Sequence, residues 1–296
     1  MTLSPRAWWA ARASRRSVST QFLESTLAQA AWQRTRKAVA RFGWTGFVCG
    51  AIVALIAFAP AIWLAAAVSS ASGQRLLLAD ARGTMWSGSA VPVLGGGPES
   101  RSAALLPGRL HWSIGLRVLA GAFELRLRQD CCMSADALLL VRPRLGGYSV
   151  QLLPGAASVG EWPAGWLTGL GAPWNTLQPG GSLRLASPGL TLEVASGRWR
   201  LNGRAELQLN NLSSRVSTLE RLGSYTLLLD GSGSTPSLRL STQDGSLLLT
   251  GSGQWTDSRF RFRGEARAAP GFESALDNLL NILGRRQGAV SILSIG

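Results

Sequence analysis

Hydrophobic and polar positions follow three rhythms along this chain. From Trp44 to Val68 the sequence WTGFVCGAIVALIAFAPAIWLAAAV holds no charged side chain, and the charge-free interval reaches from Phe42 to Gln74. Further on, apolar and polar residues alternate with period two. Near the end, apolar residues recur at helical spacing.

The first rhythm predicts a membrane span. About 20 apolar residues cross the hydrocarbon core as a helix, so the interval 44–68 suffices with some tilt. A lone span must be helical, because lipid offers the backbone no hydrogen bonds. Trp44 and Trp63 lie near its ends, where indoles favour the interface, and Pro60 is placed to kink it. A buried helix and a cleaved signal peptide are the competing readings. Ala65-Ala66-Ala67 and Ala71 offer small residues for cleavage, but signal h-regions run only about 7–15 residues. A retained anchor is favoured.

The second rhythm covers most of the chain beyond the apolar run. Phe123 to Arg128, Leu183 to Leu185, Leu190 to Val194, Glu206 to Leu209, Leu238 to Leu240 and Phe260 to Arg263 all alternate. Alternation sends Leu and Phe to one face and Arg or Glu to the other, as in an antiparallel sheet with one wet side. Turn signals at 95–98, 179–181, Asp230-Gly231 and Asp244-Gly245 separate the runs. Within the strands a glycine, any residue and a small residue recur: Gly88-Ser89-Ala90, Gly203-Arg204-Ala205, Gly251-Ser252-Gly253 and Gly264-Glu265-Ala266. Trp86, Trp199 and Trp255 lie close to three of them. A strand glycine makes room for a neighbouring ring or lets the strand bend. The spacings of 115, 48 and 13 residues exclude a regular solenoid. The predicted fold class is mainly β: one N-terminal transmembrane helix, then a long, bent antiparallel sheet.

The third rhythm is helical. Phe272, Leu276, Leu279, Leu280 and Leu283 form one stripe. Glu273 and Asp277 come early, Arg285-Arg286 late, and Gly284 suits the C-cap. Packing against the sheet is the expected role. A short helical turn is also expected within Glu161 to Leu170, with Trp162 and Trp166 on one side.

Charge orients the anchor. Residues 1–43 carry eight basic side chains and one acid, Glu24, whereas the residues just past the span hold only Arg75, Asp80 and Arg82. Positive charge stays inside, so the expected domains are a cytoplasmic segment 1–43, a transmembrane helix 44–68 and an exported, periplasmic domain 69–296. For residues 20–41 a basic amphipathic helix on the inner leaflet and a disordered extension both remain open, as does a start near Val39. The whole chain of 296 residues has a formal charge of +14; the exported part has 22 Arg, no Lys and 15 carboxylates. Its location and its singly spread charges argue against nucleic acid.

Candidate chemistry is sparse. His111 is the single histidine, Lys37 the single lysine, and no Gly-x-Ser-x-Gly or zinc-ligand spacing occurs. Nothing assembles a nucleophile, a base and an oxyanion donor, so no enzyme, cofactor or small-molecule substrate is expected. Cys49 falls in the span. Cys131 and Cys132 are adjacent with no other exported partner. Two free thiols or a vicinal disulfide are both open, the former favoured because strand neighbours point to opposite faces.

Several segments, in order, carry a resemblance. Asp80-Ala81-Arg82-Gly83-Thr84-Met85-Trp86-Ser87-Gly88-Ser89-Ala90 is similar to the GTxWxGxA signature after the anchor of type II secretion system protein N. Leu106 to Trp112, Gly223-Ser224-Tyr225, Leu247 to Trp255, Arg261 to Gly271 and Leu279 to Arg286 resemble later segments of that family. The structural motif residues this singles out are Gly83, Trp86, Gly88, Trp112, Gly203, Tyr225, Gly251, Gly253, Trp255, Gly264, Gly284 and Arg285. The resemblance implies a one-span bacterial inner-membrane protein with a periplasmic β-domain. It would be a non-catalytic accessory to the machine that exports folded proteins, in contact with other inner-membrane subunits and, through the span, with lipid. The family is distantly similar to AsmA-like proteins, which makes a groove for lipid or another apolar ligand the alternative. The long head before the anchor departs from the family's pattern.

Overall fold

The computed structural model describes residues 43–155, 158–231, 235–256 and 259–296. The basic residues of the head and the segment 20–41, for which an amphipathic helix and a disordered extension are both open, lie outside them. The chain divides into two compact units, Met1–Phe58 and Ala59–Gly296.

In the first unit, residues 43–57 are helical (α1). Trp44, Phe47, Ile52, Val53 and Ile56 stand exposed on it. Where a single span is expected over 44–68, the helix is interrupted before Pro60. The last bond of α1 runs from the Phe58 amide to the Ala54 carbonyl, and a second helix, α2 (Ala61–Ala71), starts after Pro60. Proline has no N–H to donate into the preceding turn, and its ring drives the residue before it out of helical geometry. Among the described residues no helix is long and apolar enough to cross a membrane. The later half of the apolar run belongs instead to the second unit. There Ala61 packs with Ala90 and Trp112, and Leu64 and Leu78 close over them.

The second unit is mainly β. Its strands are β1 (Leu76–Gly83), β2 (Ser87–Gly95), β3 (Ala103–Leu105), β4 (Leu110–Arg117), β5 (Ala122–Gln129), β6 (Ala137–Arg144), β7 (Gly147–Leu152) and β8 (Gly160–Pro163), followed by β9 (Gly180–Ala195), β10 (Arg198–Ser213), β11 (Gly223–Asp230), β12 (Ser237–Gly245), β13 (Leu247–Thr256), β14 (Arg259–Ala268), β15 (Arg285–Gln287) and β16 (Val290–Ile295). All sixteen join one sheet in the order β1-β2-β4-β5-β6-β7-β9-β10-β11-β12-β13-β14-β16-β15, with β3 added on β2 and β8 on β9. Consecutive strands pair as antiparallel hairpins over most of this length.

Register converts the alternating sequence into two faces. Trp112 lies opposite Leu127, Leu125 opposite Leu139, Val141 opposite Val150, and Leu192 opposite both Val150 and Leu201. Leu207 then faces Leu227, Leu227 faces Leu240, and Gly253 faces Phe262. Directly paired residues share a face, so one apolar surface crosses the sheet while arginines stand on the other.

The apolar face is covered at its two ends. At the N-terminal end α2 lies over Trp112. At the C-terminal end the helix α4 (Glu273–Leu283) buries Leu276, Leu279 and Leu280 against Leu222, Leu247 and Ala266. A single-turn helix, α3 (Trp174–Leu177), adds Leu177 to the same core. Between the two covers, Val141, Val150, Leu190 and Leu192 stay partly exposed.

Three local expectations change. The turn expected within 161–170 begins as β8, because Glu161 and Trp162 pair with Arg184 and Leu183; the helical part is a 3-10 turn from Ala164 to Leu170. Pro163 makes the switch, since its ring sets extended geometry and ends the strand. Gly284 does follow α4, but with φ −171° it is extended, not left-handed. It is glycine because the Ile292 carbonyl comes close to where a Cβ would stand. Cys131 and Cys132 lie in a turn after β5, not on a strand, and their sulfurs are bonded to each other.

Candidate functional site

The candidate site is an apolar cavity of about 310 Å³ between the C-terminal strands and α4. Leu209 of β10, Leu227 of β11, Leu240 of β12 and Leu249 of β13 form its floor. Leu279 and Leu283 of α4 and Trp174 of α3 form its roof. It follows from the register: Leu227 and Leu240 are directly paired, Leu209 and Leu249 lie two residues from that level on the flanking strands, and the short covering helices leave the space between them unfilled. Two polar groups in its wall are already engaged. The Ser214 hydroxyl donates to the Leu177 carbonyl at 2.6 Å, and the Tyr225 hydroxyl donates to the Leu247 carbonyl at 2.9 Å. Burial pushes the Tyr225 phenol well above its ordinary value, so it stays a neutral donor. Among the described residues no charged side chain lines the cavity. Such a space suits an apolar ligand and lacks a group for acid or base work.

The motif glycines explain the aromatic residues beside it. A Cβ on Gly253 would stand 2.8 Å from the Phe260 ring, and one on Gly264 would stand 2.9 Å from Phe262. Gly251 meets Phe262 in the same way. The two rings thus lie down on the glycines of β13 and β14. They extend a row in which Trp199 meets Trp255 edge-on at 6.1 Å and Trp255 meets Phe260 at 4.3 Å. A Cβ on Gly88 would stand 2.6 Å from the Trp112 indole. Gly203 has a different reason: φ is +102° at a register shift, where the Gly189 carbonyl crowds it.

The remaining motif residues fall into two groups. In the N-terminal group, Arg109 donates to the Asp80 carboxylate at 2.7 Å and to the Asp80 carbonyl at 2.8 Å, while the Trp112 indole donates to the Met85 carbonyl at 3.1 Å. The Arg109 and Arg82 guanidinium groups hold the Asp80 carboxyl below the usual range. Trp112 is buried, whereas Trp86 is only partly buried. Gly83 adopts φ +90° at the end of β1, where the Ser87 carbonyl comes close. In the C-terminal group, Arg286 pairs with Asp277 at 2.8 Å, and Arg285 lines a separate open groove. His111 lies 3.2 Å from Asp130, both exposed. Among the described residues no cluster of His, Cys, Asp or Glu is placed to hold a metal.

The Asp80–Arg109 link is not foreseen from the sequence, and neither are the residues that line the cavity, although a groove for an apolar ligand is the alternative that the resemblance implies. Both partners of the link sit inside segments with motif character, so an acid in one and an arginine in the next is the available signal. The cavity has no local signal, because it is a shortfall in what the covering helices fill.

Residues 74–292 match the family model described as type II secretion system (T2SS), protein N. The chain belongs to that family. No curated protein and no solved structure gives a significant match.

Proposed function

We propose, from membership in the protein N family of the type II secretion system, that this chain is a non-catalytic, membrane-tethered accessory of that system. The family match carries the reading. The tether is the apolar segment within 44–68. Trp44, Phe47, Val53 and Phe58 leave 50% or more of their surface open, a state that lipid or neighbouring spans relieve. The eight basic residues before it keep the N-terminus in the cytoplasm and the β-domain in the periplasm. Contacts with other inner-membrane subunits hold the protein in place, through the apolar segment and the exposed edge strands. A deletion strain complemented with the full chain is the test. Loss of exported enzyme from the medium, restored by complementation, is expected; unchanged export would overturn the reading.

The cavity favours a second reading, an AsmA-like site for lipid or another apolar ligand. The same deletion strain separates the two. Normal export with an altered outer-membrane lipid content would promote the cavity to the primary function.

A further inference from the structure

Three adjacent hairpins end at the same side of the sheet. The β4–β5 turn follows the pair Arg117 and Ala122, the β6–β7 turn the pair Arg144 and Gly147, and the β9–β10 turn the pair Arg198 and Ala195. Gly147 lies opposite Ala195, which puts the second and third tips level with each other. The β1–β2 turn points the same way, because β2 runs antiparallel to β4 and begins at Ser87, opposite Ser113 at the middle of β4. Pro60, at the start of the domain, is bridged to Thr84 in that turn. The chain therefore enters the domain at the side where these tips project.

Two of the three tips are aliphatic where solvated turns are ordinarily polar, the third being Ser196-Gly197. Leu119 and Leu145 are as exposed as side chains can be, at 106% and 107%, and Val118 is 76% exposed. Leu116 and Tyr148 stand just behind them on the apolar face, with Trp199 nearby on β10. Single exposed leucines are ordinary. Here they crown neighbouring protrusions, and glycines with positive φ at Gly121 and Gly146 fix the turns that hold them out. The opposite face at this side carries Arg117, Arg142, Arg144, Arg198 and Arg200 against Glu124 and Glu193. Arg198 and Arg200 have no ion pair among the described residues.

We infer that this side of the domain docks on an anionic phospholipid leaflet. Val118, Leu119 and Leu145 insert below the headgroups, Tyr148 and Trp199 sit at the interface, and the arginines reach phosphates. The shape decides the occupant. Separate pointed aliphatic tips suit a deformable solvent better than a flat complementary protein patch, and the excess of arginine matches anionic headgroups. Docking would fix how the sheet stands on the membrane, with the apolar cavity at the far end of β10, where Leu209 and Leu212 line it. The inference is independent of the secretion reading, since it requires only a bilayer.

The test uses the full chain with Cys49→Ala, the disulfide left oxidised, in nanodiscs of phosphatidylglycerol and phosphatidylcholine. A fluorophore is attached at Leu119→Cys, at Leu145→Cys, or at Thr218→Cys near the opposite ends of the strands. Lipid-borne nitroxide should quench the first two and spare the third, while aqueous iodide should do the reverse. Each of Arg198→Gln and Arg200→Gln should lower the docked fraction's equilibrium constant about fivefold, and phosphatidylcholine alone should weaken it further. Labels at 119 and 145 as open to iodide as that at 218 would overturn the inference. So would labels shielded from iodide yet beyond reach of the lipid quencher, which would place the tips against protein instead.

Discussion

Tyr225→Phe isolates one buried hydrogen bond. On the β14 side the ladder leaves the Leu247 backbone unpaired, because the Ala269 amide bonds Ser246 and the next pair lies beyond. The Leu247 amide and carbonyl therefore point toward β11, where β12 has already ended at Gly245. The amide donates to the Leu222 carbonyl at 3.0 Å, and the Tyr225 hydroxyl supplies the carbonyl's partner. Both residues are buried, at 1% for Tyr225 and 2% for Leu247. Removing the hydroxyl keeps the ring and its packing but strands a carbonyl away from water. An unsatisfied buried acceptor costs about 1–3 kcal/mol. For a domain of this size each kcal/mol shifts Tm by about 2–4 °C. Thermal unfolding of the parent and the variant, followed at the tryptophan emission, measures it. An unchanged Tm would refute the argument and mean that the carbonyl finds water through the neighbouring cavity.

Trp112→Ala empties a buried ring site and its bond to Met85, and should cost about 3–5 kcal/mol in denaturant unfolding, with export falling only in proportion to protein level. Gly253→Val sets a side chain against the Phe260 ring and the Arg261 carbonyl, 2.8 and 3.0 Å from its Cβ. It should destabilise by about 1–3 kcal/mol, and a double-mutant cycle with Phe260→Leu should show strong coupling between the two sites. Glu124 is 6% exposed between Arg126 and Arg117, and its hydrogen bond to Arg126 lowers its carboxyl below the ordinary 4.5. Its stabilising effect is therefore present above pH 4.5 and is lost as pH falls through the folded value. Glu124→Gln should flatten the decline in stability below that pH, and an equal slope in both proteins would count against it. Alkaline phosphatase fused after Gly296 should be active if the β-domain is periplasmic, and a stable but inactive fusion would reverse the topology.

Local periodicity is enough to establish the sheet, its two faces and the closing helix. Period two assigns each residue to a face, and the stripe from Leu276 to Leu283 leaves a helix one side to bury. Charge counts and the scarcity of reactive side chains are equally legible in the amino-acid order, because they need no geometry. Whatever depends on who meets whom waits for the folded chain. Pro60 reads as a kink in a long span, yet its break hands Ala61 to the β-domain, where a buried site beside Ala90 and Trp112 receives it. Trp86 and Trp112 look alike in sequence, but only the second lies over a glycine and under a helix. The redox pairing of Cys131 and Cys132 turns on whether they sit in a strand or a turn. The apolar cavity and the aliphatic hairpin tips are the furthest from the sequence. One is the volume that α3 and α4 do not fill, and the other is a set of turns that become one surface only when antiparallel pairing brings them to the same side.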